Sequence, residues 1–170
     1  MPNITFRKAT IEDLELLKYW DTKPHVIASD PDDDWNWEFE LKRDPSWREQ
    51  IIAELGQIPI GIFQIIDPEK EETNYWNLKK TGFRAIDIWI GEEENLSKGY
   101  GTIMMEYAIS ICFQADEVHT ILIDPLSSNT RAIAFYKRLG FEFLEDRQFD
   151  KVLCSVFQLK RTNWALAKDI

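Results

Sequence analysis

A β-like run that is apolar apart from one aspartate, Ala85-Ile86-Asp87-Ile88-Trp89-Ile90, is followed within a few residues by Leu96-Ser97-Lys98-Gly99-Tyr100-Gly101-Thr102 and then by an apolar stretch of helical length. The order is strand, glycine-paired turn, helix. It is the feature that most constrains this chain. A glycine-paired turn at the start of a helix presents backbone N–H groups and the positive end of the helix dipole, an arrangement suited to a phosphate. About 25 residues on comes Asp124-Pro125, then Asn129-Thr130-Arg131-Ala132-Ile133-Ala134-Phe135-Tyr136-Lys137-Arg138-Leu139-Gly140-Phe141. A polar residue there opens a helix and Gly140 closes it.

The rest of the chain reads as alternating elements without a repeat or linker. Ile4 to Arg7 alternates like a strand. Thr10 caps a helix whose apolar positions are Leu14, Leu17 and Trp20. Residues 21–34, rich in Asp and Pro, read as loop, and Trp35 to Arg43 as a second short helix. Gln50 to Leu55 and Ile58 to Ile66 flank Gly56-Gln57 as a hairpin. Asp67 to Gly82 reads as an exposed loop, Ala85 to Ile90 as a strand, Gly101 to Phe113 as the main helix and Thr120 to Ile123 as a buried strand. Ser128 is the expected cap of a helix running to Leu139. Glu142 to Gln148 and Lys151 to Lys160 form a closing hairpin. Strands, then a βαβ unit, then a hairpin imply a mixed α/β sheet with helices on both faces.

At 170 residues and 44% hydrophobic, the chain supports one domain with a sizeable core. The net charge of −10 argues against nucleic acid, whose phosphates need clustered Lys and Arg, and is compatible with a cationic partner. Cys112 and Cys154 are too few for a disulfide framework and lack neighbours for a metal, so Cys112 reads as core and no metal is expected. The amino terminus lacks a signal-peptide pattern and no apolar run is long enough to span a membrane, so a cytoplasmic location is expected.

The two motifs together resemble the GNAT acetyltransferases, and within them the aminoglycoside 6′-N-acetyltransferases. The specific likeness runs from Phe83 to Asn163; the amino-terminal half matches in element order. Leu96 stands where the superfamily usually has Arg or Gln, a form familiar among the 6′-acetyltransferases. The resemblance implies the GNAT fold, a mostly antiparallel twisted sheet. It also implies acetyl-CoA as co-substrate, held by the backbone of Ile88, Trp89 and Ile90 and by Ser97, Lys98, Gly99, Tyr100, Gly101 and Thr102. Asn129 would bind the pantetheine arm and Tyr136 would donate a proton to the departing thiolate. Each has a plainer reading: Asn129 as a helix cap, Tyr136 as a core aromatic. Asp87 matches the family's catalytic carboxylate, against the alternative of a structural Asp paired to Arg84. Asp124 matches a second acidic position that meets the substrate.

Asp30 to Glu40 interleaves acids with tryptophans. Such a run is commonly a solvated loop, but it also suits a polycationic sugar, with Trp35, Trp37, Tyr75 and Trp76 as candidate stacking faces. His25 and His119 are isolated and receive no catalytic role. The expected partner is a small cationic amine and the expected assembly a monomer or homodimer. Antibiotic resistance is the physiological role that the resemblance implies. Alternatives left open are acetylation of a protein amino terminus or lysine, as in ribosomal-protein acetyltransferases, acetylation of hydroxylated lysine in siderophore synthesis, and a CoA-binding sensor without turnover.

Overall fold

The computed structural model describes residues 2–31 and 34–169, so Asp32 and Asp33 of the acidic run lie outside the described residues. Seven strands are hydrogen-bonded in the order β1-β2-β3-β4-β5-β7-β6: β1 Ile4–Lys8, β2 Arg48–Leu55, β3 Ile58–Ile66, β4 Phe83–Ile90, β5 Thr120–Ile123, β6 Glu142–Phe149 and β7 Val152–Lys160. The helices are α1 Leu14–Trp20, α2 Pro24–Ser29, α3 Trp37–Lys42, α4 Tyr100–Cys112, α5 Thr130–Arg138 and α6 Arg161–Lys168. The chain divides into two compact units, residues up to 65 with 87–108, and 66–86 with the remainder from 109.

In the first unit β1 runs antiparallel to β2, Ile4 opposite Leu55 and Lys8 opposite Ile51. The turn into β3 has Gly56 at φ 57° and Gln57 at φ 70°, the doubly left-handed geometry whose twist matches a hairpin. A capping box starts the first helical segment. The Thr10 N–H donates to Asp13 Oδ2 (2.8 Å), the Glu12 N–H donates to Thr10 Oγ1 (3.3 Å), and the Arg7 guanidinium holds both Asp13 oxygens at 2.8 and 2.9 Å. From there α1 delivers Leu17 and Trp20 to a core with Ala9, Trp37, Ile52 and Ile62. Trp20 lies against Gly91, where a Cβ would come within 1.9 Å of its ring. The loop expected over 21–34 contains α2. Pro24 takes its first position, where a missing N–H costs nothing and a fixed φ helps.

In the second unit β4 begins parallel to β5, from Phe83 opposite Thr120 to Ala85 opposite Leu122, and β5, β7 and β6 continue antiparallel. Trp76, Ala85, Leu122, Phe149, Cys154 and Val156 form its core. Asp67 to Gly82 is therefore more than an exposed loop. The buried Glu71 carboxylate accepts from the Thr73 N–H (2.7 Å) and the Tyr75 N–H (2.9 Å), and Arg147 Nη1 donates to the Trp76 carbonyl (2.9 Å). The cap of α5 is Asn129, not Ser128: its Oδ1 accepts from the Ala132 N–H at 3.1 Å. The sequence reading contains no counterpart to α6. It begins at Arg161, whose guanidinium fork donates to the carbonyls of Val118, Phe113 and Ala115 at 2.6–2.9 Å. Cys112 and Cys154 are buried. Among the described residues no helix is long and apolar enough to cross a membrane, and no group of three His, Cys, Asp or Glu could hold a metal.

Candidate functional site

The entry into α4 meets the needs of a phosphate site. Ser97 has φ 61° and Gly99 φ 83°, so the chain passes through two left-handed residues just before the helix. A Cβ added at Gly99 would have no heavy atom within 4 Å. The glycine thus supplies conformation and leaves space above the turn. The first bond of the helical ladder runs from the Ile103 N–H to the Gly99 carbonyl (3.3 Å), so the N–H groups of Tyr100, Gly101 and Thr102 precede the ladder and point out of the helix end. Gly101 lies inside the first turn. With α4 thirteen residues long, the dipole adds to these donors.

Asp87, half-buried in β4, accepts a hydrogen bond from Gln64 Nε2 of β3 at 2.8 Å; Gln64 Oε1 in turn accepts from Gln50 Nε2 of β2 at 3.3 Å. Sequence reasoning missed both glutamines. The available signal was Gln64, the lone amide in the otherwise apolar run of β3; Gln50 sits among the charged residues of β2 and carries no such mark. The Arg84 reading fails for a geometric reason: side chains three apart on a strand face opposite ways, and Arg84 reaches Asp67 at 3.6 Å. β4 continues to Ile90, five residues beyond its last register pair with β5 at Ala85. Ile88, Trp89 and Ile90 occupy that extension. The Trp89 ring lies 5.0 Å from Trp35 and 5.9 Å from Trp37, and its buried Nε1 has no hydrogen-bond partner among the described residues. His25 has a structural part, its Nε2 lying 2.8 Å from the Ile90 carbonyl.

The candidate stacking residues separate by burial. Trp37 is 4% exposed and donates from Nε1 to Asp21 (2.6 Å); Trp76 is also 4% exposed and packs edge-on against Phe149. These two are core residues whose faces are covered, which corrects their assignment as sugar platforms. Trp35 keeps partial exposure, and Tyr75 is 46% exposed. In the second unit the structure brings together two residues singled out separately in the sequence: Tyr75 Oη donates to Asp124 Oδ2 at 2.5 Å, with the Tyr75 ring stacked on Phe149. Tyr136 is buried at 8% exposure on α5, between Phe135 and Phe141. Asn129 commits its Oδ1 to the helix cap.

A family model described as "Acetyltransferase (GNAT) domain" matches residues 10–149. An aminoglycoside N(6′)-acetyltransferase type 1 of Klebsiella pneumoniae is 30% identical over 156 residues, spanning 82% of this chain and 74% of that protein. A kanamycin resistance protein of Rhizobium radiobacter is 39% identical over 61 residues, 36% of this chain and 56% of that one. The crystal structure of the aminoglycoside acetyltransferase AAC(6′)-Ib with coenzyme A and kanamycin superposes with a TM-score of 0.85 at 26% identity, covering 98% of this chain and 99% of that one.

Proposed function

Since the chain belongs to the GNAT acetyltransferase family, we propose that it transfers the acetyl group of acetyl-CoA to a primary amine of an aminoglycoside, the 6′-amine by analogy with its relatives. The observation that carries the reading is the entry into α4, where Gly99 at φ 83° turns the chain into the helix with nothing within 4 Å of an added Cβ and the leading N–H groups precede the helical ladder. Tyr100, Gly101 and Thr102 hold the CoA pyrophosphate there through backbone donors, with Ser97 and Lys98 on the approach. Acetyl-CoA supplies the activated thioester. Asn129 contacts the pantetheine arm while its Oδ1 keeps the cap.

The acceptor is a polycation, and this chain's net charge of −10 favours its approach. Asp87 orients the reacting ammonium. In the second unit Asp124, held by Tyr75, matches the family's second acidic position and meets a further ammonium, with the exposed Tyr75 ring beside it for a sugar face; in the first, the partly exposed Trp35 is the candidate stacking residue. Direct proton transfer to Asp87 is uphill: an ordinary aspartate near ~3.9 and an amine near ~8 differ by about 4 units, roughly 5–6 kcal/mol. Asp87 therefore positions the amine, and the proton leaves the ammonium to solvent water before attack. As the new C–N bond forms and the C–S bond breaks, the backbone N–H of Trp89 steadies the carbonyl oxygen and Tyr136 gives its phenolic proton to the leaving sulfur. No covalent enzyme intermediate is needed.

Asp87→Asn tests the reading. It keeps the shape of the strand, so acetyl-CoA affinity stays within about twofold, while kcat/KM for an aminoglycoside falls on the order of 10²-fold through loss of the charge partner. A variant as fast as the parent would remove Asp87 from the chemistry.

A further inference from the structure

Two glutamines sit where apolar residues would be expected. Gln50 is 8% and Gln64 4% exposed, on the same faces of their strands as the fully buried Ile52 and Ile62. Burying an amide in such a position is unfavourable unless its hydrogen bonds are made. Here they are made in one direction only. Gln50 Nε2 donates to Gln64 Oε1 (3.3 Å), and Gln64 Nε2 donates to Asp87 Oδ2 (2.8 Å). An ionised carboxylate accepts and never donates, so it fixes which end of the Gln64 amide faces it. The Gln64 oxygen must then face back toward β2, where only a donor can satisfy it, and Gln50 presents one. The row thus runs with one polarity, from the Gln50 amide through Gln64 to the Asp87 carboxylate.

We propose that Gln64 is the positioning residue for Asp87, with Gln50 locking the orientation of the Gln64 amide. This rests on the role given to Asp87 above. The bond from Gln64 holds Oδ2 and with it the plane in which the carboxylate meets the acceptor ammonium. Without the amide that hold on Oδ2 is lost, and the amine loses part of its alignment for attack. Misalignment of this kind lowers turnover more than it lowers binding. Gln50 acts one step further out, so its loss has the smaller effect.

The test is a double-mutant cycle on acetyl-CoA-dependent thiol release with kanamycin. Gln64→Leu is expected to lower kcat about 20-fold, with KM for the aminoglycoside and Kd for acetyl-CoA changed less than threefold. Gln50→Leu is expected to lower kcat about fivefold. In an Asp87→Asn background, adding Gln64→Leu should lower kcat by less than twofold, because the group it positions is already gone. Gln64→Met, flexible and of similar volume, serves if the leucine variant misfolds, and follows the same pattern. A 20-fold loss that persists undiminished in the Asp87→Asn background would make Gln64 a structural residue only. Full turnover of both Gln64 variants would overturn the proposal outright. If Asp87→Asn alone leaves turnover unchanged, it is the reading of Asp87 that fails, separately from the row behind it.

Discussion

Replacing Gly99 by alanine separates binding from folding, and the structure gives the size of each effect. The residue sits at φ 83°, where an L-side chain costs about 1–2 kcal/mol. Nothing lies within 4 Å of the new Cβ, so no steric cost is added to that strain. For a protein of this size each kcal/mol moves Tm by about 2–4 °C, so the variant should melt about 2–8 °C lower and remain folded at 25 °C. Acetyl-CoA affinity should fall at least tenfold, a loss of about 1.4 kcal/mol, because relief of the strain at φ 83° shifts the turn whose N–H groups receive the pyrophosphate. Gly99→Val should fall further. Gly91→Ala is the opposite control: its Cβ would lie 1.9 Å from the fully buried Trp20 ring, an overlap costing about 3 kcal/mol or more in stability. Calorimetric titration with acetyl-CoA beside thermal melts reads both quantities. Parental affinity in folded Gly99→Ala would refute the placement of the pyrophosphate at this turn.

Tyr136→Phe removes one oxygen from a buried ring and should lower kcat on the order of 10²-fold with acetyl-CoA affinity retained; unchanged turnover, with chemistry shown to be rate-limiting, would assign the proton to another donor. Asp13 makes a pH-dependent contribution to stability. Burial pushes its carboxyl up, but the Arg7 hydrogen bonds, the Thr10 N–H and the Arg7 charge together outweigh burial and hold it below its ordinary value of 3.8. The unfolded chain therefore binds the proton more readily than the folded one. The Asp13 contribution is complete above its unfolded value and is lost as pH falls through the lower folded value. Urea unfolding of Asp13→Asn should show a deficit of about 1–3 kcal/mol at pH 7 that closes as pH drops below 3.8; a deficit constant with pH would contradict the ion pair as its source.

Much of the fold was legible because its signals are local. Alternation at the start of β1, the apolar run within Phe83–Ile90, the Thr10 cap and the Gly56-Gln57 turn each declare an element from a few residues. Elements fixed by distant partners were not legible. Helix α6 opens on an arginine that caps carbonyls 43 to 48 residues away, and Pro24 reads as a loop signal although it opens α2. For the site, the Gly-x-Gly turn and Asp87 carry their own patterns. Whether a tryptophan is platform or core depends on what covers its faces, so Trp37 and Trp35 look alike in sequence and differ in burial. The Gln50–Gln64–Asp87 row joins three strands and has no sequence spacing to betray it.

The central claim is acetyl transfer to an aminoglycoside amine, and thiol release from acetyl-CoA by the unmodified protein tests it most directly. Kanamycin, a matched aminoglycoside carrying a 6′-hydroxyl, spermine and a lysine peptide would be compared as acceptors. Thiol release at a steady rate with kanamycin, and at least 10²-fold slower with the 6′-hydroxyl compound and the peptide, is the predicted result. Acetyl-CoA binding without thiol release on any acceptor, or a peptide acetylated as fast as kanamycin, would contradict it.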